Sequence, residues 1–189
     1  MLKDLILRNR SYRSFDKSIV PTQEELLSFI DCARLTPSGM NKQPLKYKVF
    51  HTADECEAIL PLTRWAAALK DITLPPKGHE PTAYILICAD TSVLAGAERT
   101  KDIGIAAQTI LLAATEAGFG GCMIGSFDAD GVRAVAALPE HLTPLLIVAL
   151  GKPDEEIVLT ACSDGNVAYY REGGVHYVPK RSLEDILID

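Results

Sequence analysis

The sequence predicts an α+β domain in which helices flank a mixed sheet. Three observations point there. Strand-like and helix-like segments alternate along the chain. Several connections between them are too short for the regular crossovers of a doubly wound parallel sheet. Two nearly continuous apolar runs, Thr82–Ala89 and Thr143–Leu150, have the length and composition of buried strands. With 189 residues the chain is expected to be one domain over 1–189. A chain of that size buries roughly 70% of its unfolded surface and needs no disulfides to fold.

The elements follow in order. Leu2–Arg8 reads as a short helix with Leu2, Leu5 and Ile6 on one stripe, and Asn9–Phe15 as a polar, basic loop. Thr22 with Glu25 three residues on is a capping box, so a helix carrying Leu26, Leu27, Phe29, Ile30 and Ala33 starts there and stops before Pro37. Tyr47, Val49 and Phe50 mark a strand, Asp54 to about Leu60 a helix, and Arg64–Leu69 a helical turn. Leu74–Pro81, with three prolines and a glycine, is expected to be a mobile loop. Lys101–Ala117 is apolar on nearly all sides, which predicts a core or interface helix, with Gly118 as its C′ residue. Gly121–Ile124 is a short strand, Asp130–Leu138 a helix ended by Pro139, and Thr143–Leu150 the last buried strand. Tyr169, Tyr170, Val175, Tyr177 and Val178 suggest a terminal strand or arm that packs on a partner.

A net charge of −6 and 23% charged residues argue against general nucleic-acid or membrane-surface binding. Five cysteines, an odd number without a Cys-x-x-Cys pair, predict reduced thiols in the cytoplasm. No signal peptide is expected, because Lys3 and Asp4 interrupt the apolar start, and no apolar run approaches the roughly 18 residues of a membrane span. The four histidines lack ligand spacing, so no metal site is expected. There is no Gly-x-Ser-x-Gly elbow, Walker loop or Gly-x-Gly-x-x-Gly fingerprint.

Four stretches carry possible chemistry. Arg8-Asn9-Arg10-Ser11-Tyr12-Arg13 is either a solvated basic loop or a phosphate site, since guanidinium groups grip phosphate bidentately. Pro37-Ser38-Gly39-Met40-Asn41-Lys42-Gln43-Pro44 is either a plain helix–strand loop or a surface for a heterocycle's imide edge or a polyol. Gly118–Ser126 reads as a helix cap followed by a strand. Lys180-Arg181 near the C-terminus reads as solvent-exposed when taken alone.

In combination, order and spacing say more. Arg10-Ser11-Tyr12-Arg13-Ser14-Phe15, Val20-Pro21, Ala33-Arg34, Pro37–Pro44, Gly118–Gly121, Leu138-Pro139, Ala149–Pro153 and Lys180-Arg181-Ser182-Leu183 together resemble the nitroreductase family of flavoproteins along nearly the whole chain. That resemblance implies a three-layer sandwich with a central mixed, mostly antiparallel sheet, and an interface-spanning arm over 165–189. It implies FMN at a homodimer interface, NADH or NADPH as hydride donor, and a nitroaromatic, quinone or flavin as acceptor in ping-pong turnover. Catalysis would need no protein nucleophile, because the flavin carries the chemistry. By the same analogy Arg10, Ser11, Lys180 and Arg181 hold the phosphate end, and Arg13 lies toward the pyrimidine. Pro37, Ser38, Gly39 and Asn41 reach across from the other subunit, and Gly125 and Ser126 offer N–H groups near flavin N5. The segment 62–81 would shape the acceptor site, with Trp65 as a lid or a packing residue. A reductive dehalogenase, a flavin-processing enzyme and a non-catalytic flavin sensor are the alternatives in the same family. Asn9 stands where the family often has a second basic residue, and Leu45 where an aromatic often follows Gln-Pro.

Overall fold

The computed structural model describes residues 1–66, 69, 72–97 and 101–188. Its elements run α1 (Leu2–Arg8), β1 (Phe15–Asp16), α2 (Gln23–Arg34), β2 (Leu45–Phe50), α3 (Ala53–Ile59), β3 (Ala83–Asp90), α4 (Asp102–Glu116), β4 (Gly120–Ile124), α5 (Ala129–Val135), β5 (Leu142–Pro153), β6 (Ile157–Ala161), β7 (Tyr170–Glu172) and β8 (Val175–Lys180). Short 3-10 turns lie at Gly39–Asn41, Leu60–Leu62 and Glu184–Ile186.

β5 organises the main sheet. It pairs with β3 along one edge, and with β4 and β1 along the other. β2 extends the sheet beyond β3. All four pairings are antiparallel. The mixed character expected of this sheet sits instead in a separate three-stranded one, where β8 pairs parallel with β6 and antiparallel with β7.

Every residue of β3 is buried, and alternation sends its side chains to two cores. Ala83, Ile85 and Ile87 meet Leu26 and Phe29 of α2 and Ala107, Ile110 and Leu111 of α4. Tyr84, Leu86 and Cys88 meet Cys56 and Ile59 of α3 and Val132 of α5. Helices therefore cover both faces, and the α+β sandwich read from the sequence is what the chain forms.

Local signals act where expected. Thr22 and Glu25 exchange the two bonds of the capping box at the start of α2. Gly118, at φ +86, closes α4, with Gly118 N–H donating to Thr115 and Phe119 N–H to Ala114 in the Schellman pattern. The helix expected over Asp130–Leu138 is shorter, and the strand expected over Thr143–Leu150 is longer. Arg64–Ala66 is not helical, while Ala67 and Ala68 of that expected turn lie outside the described residues. The proline-rich stretch expected to be mobile is pinned by Phe15 N–H to the His79 carbonyl at 3.0 Å and by the Lys17–Glu80 and His79–Asp154 pairs. Trp65 packs against the second core and donates to Thr63 Oγ1 at 2.7 Å, so it is a packing residue within this chain.

α4 is less enclosed than its composition suggests: Ile110 is fully buried, but Ile105 is 40% exposed. Leu2, Ile6 and Leu7 of the neighbouring α1 are exposed as well. No helix of the described residues is long and apolar enough to cross a membrane. Ile110→Ala should destabilise the protein by about 2–5 kcal/mol, through lost burial plus a cavity. Thermal or urea unfolding checks this, and a cost below about 1 kcal/mol would mean the site collapses to fill the gap.

Candidate functional site

The basic loop Asn9–Ser14 lies flat on β4. Ser11 forms a parallel bridge with Gly121, and Tyr12 N–H donates to the Gly121 carbonyl at 3.0 Å. This approach explains the glycine segment. A Cβ on Gly120 would stand 2.6 Å from the Tyr12 ring and 2.6 Å from Pro153. Tyr12 Oη donates to the Arg8 carbonyl at 3.0 Å, and an Arg10 terminal nitrogen to the Ile6 carbonyl at 2.6 Å. α1 and the loop are thereby bonded to each other.

Glu155, two residues past the end of β5, anchors the other side of the loop. Its buried carboxylate accepts from the Arg13 and Ser14 backbone N–H groups and from the Arg171 guanidinium. The Arg13 guanidinium donates to the Ser11 carbonyl at 3.1 Å and lies over the Tyr169 ring, 5.5 Å from its centre. Tyr169 in turn meets His176 edge-on at 5.3 Å. His176 is buried, and desolvation first, with Arg13 and Arg171 behind it, pushes its imidazole down to about 4. The strands of the terminal arm therefore pair inside their own chain, held by Glu155 and Tyr169, while Leu183 and Ile186–Ile188 stay exposed.

These elements enclose a cavity of about 380 Å³. Asn9, Arg10, Ser11, Arg13, Gln108, Met123, Tyr169, His176 and Lys180 are among its walls. The structure thus brings together four of the residues singled out from sequence, Arg10, Ser11, Arg13 and Lys180, across a separation of about 170 positions. Arg181 is exposed and not part of the wall. Gly125 and Ser126 follow β4 on the exposed surface, where the Ser126 carbonyl accepts from Arg64 N–H at 2.9 Å. Pro37, Ser38, Gly39 and Asn41 do not reach this cavity. Their loop adjoins a second one of about 220 Å³, which Ser38, Gln43 and Asp102 help to line. The Ser38 hydroxyl donates to Asp102 Oδ2 at 2.5 Å and accepts from Gln43 N–H at 2.9 Å, so it serves the loop's own shape.

Sequence reasoning missed Asp102, Glu155 and His176, and passed over Asn9, which is buried in the cavity wall. Burial pushes the Cys122 thiol up, away from the reactive thiolate. Among the described residues no cluster of three His, Cys, Asp or Glu could hold a metal ion.

The donor set suits a phosphorylated polyol. Arg10 and Lys180 supply cations, Ser11 a hydroxyl, and Asn9 and Gln108 amides. Arg10 Nε is buried without a partner among the described residues, a donor still to be satisfied. The residues present therefore fit the phosphate and ribityl end of FMN.

Comparison with known proteins agrees with this architecture. The Nitroreductase family model matches residues 6–152. A Methanothermobacter thermautotrophicus protein, provisionally named NADH dehydrogenase/NAD(P)H nitroreductase, is 29% identical over 157 residues, covering 80% of this chain and 77% of that one. Among solved structures, the CLA-ER enone reductase of gut-bacterial fatty acid saturation superposes with a TM-score of 0.70 at 19% identity, over 86% of this chain and 93% of that one. An Exiguobacterium sibiricum protein, provisionally named a nitroreductase and solved in complex with FMN, gives 0.65 at 15% identity over 81% and 88%. The chain belongs to the nitroreductase family.

Two outcomes follow from the anchor. Glu155→Gln should cost about 2–3 kcal/mol, below the full penalty for a dry unpaired charge because Arg171 keeps some solvent. By thermal denaturation that is a fall of about 4–12 °C, and an unchanged midpoint would show that the anchor carries no stability. His176 stays neutral in the fold down to about 4, whereas the unfolded chain protonates near 6.5. Its contribution is therefore full above about pH 6.5 and is lost as pH falls toward 4. The stability difference between wild type and His176→Gln should shrink across that window in a series of denaturant titrations. A difference that stays constant with pH would contradict a neutral buried imidazole.

Proposed function

We propose that this protein is an FMN-dependent oxidoreductase that takes hydride from NADH or NADPH and reduces a small acceptor of the nitroaromatic, quinone or flavin class. The observation that carries this reading is the convergence of Arg10, Ser11, Arg13 and Lys180 on one cavity of an otherwise acidic chain. Bound FMN supplies hydride acceptance and donation, for which the protein needs no nucleophile of its own.

The chain's residues bind and orient. Arg10, Ser11 and Lys180 hold the phosphate end, with Arg181 joining from the exposed tail. Arg13, fixed through its backbone by Glu155, presents a cation toward the pyrimidine side, where negative charge develops on reduction. Pro37, Ser38, Gly39 and Asn41 serve the flavin of a second copy of the chain, which accounts for their distance from the cavity of their own. Gly125 and Ser126 offer N–H groups from the exposed end of β4. Homodimerisation is supported by the exposed apolar residues Leu2, Ile6, Leu7 and Ile105 on α1 and α4, and by Leu183 and Ile186 of the tail. The segment 62–81 borders the acceptor side. Donor and acceptor use one pocket in turn, hence ping-pong kinetics. Three buried thiols and no membrane-length helix among the described residues suit a cytoplasmic enzyme.

The test has two arms. Titration with FMN and riboflavin should show Arg10→Ala and Lys180→Ala each weakening FMN by about 10–100-fold, the worth of a charge-assisted hydrogen bond, with riboflavin little changed. Anaerobic stopped-flow mixing of the FMN-loaded protein with NADH or NADPH should bleach the oxidised flavin band, and a quinone should restore it. Protein that binds no flavin, or bound flavin that neither donor bleaches, would overturn the proposal.

A further inference from the structure

The loop between α2 and β2 has an unusual backbone. Met40, Asn41 and Gln43 all adopt left-handed φ angles, at 50°, 54° and 49°, although none is glycine. Single residues of this kind are uncommon outside glycine, and three in four positions are a concentration of strain. The loop is also exposed, with Met40 at 82%, so nothing packed over it within its own chain forces the shape.

What does hold it is one carboxylate. Asp102 lies in the first turn of α4, where the helix N-terminus favours negative charge. It is buried at 8% exposure. Its oxygens accept from the Ser38 hydroxyl at 2.5 Å and from Gly39 N–H at 3.2 and 3.3 Å. The same hydroxyl accepts from Gln43 N–H at 2.9 Å, so the two ends of the strained turn are tied to α4 through Ser38. Within the turn, Asn41 N–H bonds to the Ser38 carbonyl at 2.8 Å and Gln43 Nε2 to Asn41 Oδ1 at 3.1 Å, which fixes the Asn41 side chain outward. A strained conformation that buries nothing in its own chain is maintained for something outside it.

We infer that Asp102 is a positioning residue for the flavin site: through Ser38 and Gly39 it holds the 38–43 loop in the left-handed shape that presents Asn41 and the loop backbone to the flavin of a second copy of the chain. This rests on the FMN reading above. Asp102 itself touches no flavin. Because the loop serves the ring and not the phosphate, its loss weakens FMN and riboflavin alike.

The experiment measures FMN and riboflavin affinity by fluorescence titration, and the melting temperature of the flavin-free protein, for wild type, Asp102→Ala and the double variant Asp102→Ala/Met40→Gly. Asp102→Ala should lose at least about tenfold in affinity for both flavins, in contrast to the FMN-selective loss from Arg10→Ala. Met40→Gly should restore part of that loss, since glycine adopts φ near 50° without the penalty that Asp102 offsets. Restored affinity without restored melting temperature is a result that a merely structural role would not give. If Asp102→Ala does not fold, Asp102→Asn keeps the size and one acceptor, and should show a smaller loss of the same kind. A folded Asp102 variant that binds both flavins as wild type does, or a loss that Met40→Gly leaves untouched, overturns the inference. Wild-type protein that binds neither flavin overturns the functional reading, and this inference with it.

Discussion

A buried strand must have its backbone groups paired on both sides, and β5 meets that requirement with three different partners. β3 takes one edge for most of its length. The other edge is shared end to end: β4 pairs from Ile147 to Gly151, and β1 from Lys152 to Pro153. β4 in turn has β5 on one edge, and at Gly121 it meets the basic loop: Ser11 bridges Gly121 in parallel and Tyr12 N–H donates to its carbonyl, which sets Arg10–Ser14 beside the start of β4. β5 delivers Glu155 to the loop two residues after its last pair. The position of the basic loop is thus a consequence of sheet topology, and its fine placement a consequence of one carboxylate.

That carboxylate also decides which charges are available. Glu155 is consumed by two backbone N–H groups and by Arg171, so it neutralises a cation outside the cavity, and among the described residues no acid lines the cavity with Arg10, Arg13 and Lys180. In a chain with 25 acidic and 19 basic residues this is a local inversion of sign. His176 adds to the contrast: it faces Arg13 and Arg171, and burial keeps it neutral, so it contributes a polar group without a further positive charge. The cavity thus offers an anion with a polyol tail both cations and neutral donors and acceptors.

How much of this the sequence disclosed depends on the range of the interaction. Contacts within four residues were legible: the Thr22–Glu25 box, Gly118 after α4, and the stop before Pro37. So were the two cores, since alternation in Ala83–Asp90 sorts its side chains whatever packs on them. The members of the basic cavity were readable only because several short motifs coincided in one order. Asp102 and Glu155 were not, because each acts over a distance no local pattern encodes: 64 positions to Ser38, and 142 to Arg13. Thr52 also forms a capping box with Glu55 that fits the same local rule, yet the helix start was placed one residue late. The contacts of Leu74–Pro81 were unreadable for the long-range reason again, because its partners, Phe15 and Asp154, are far away in sequence.

The two loops that carry the recognised motifs are built on opposite principles. Arg10–Ser14 is held by the sheet, with its backbone bonded to β4 and to Glu155, and its conformation is ordinary. The 38–43 loop leans on no strand, departs from ordinary backbone at three residues, and depends on a single buried acid for its shape. A loop that only joined α2 to β2 would have relaxed, because an exposed turn meets no packing obstacle to doing so. The first loop's shape follows from the strand it lies on. That of residues 38–43 follows from Asp102 and Ser38, and its exposure is what the proposed sharing of a flavin between two copies would use.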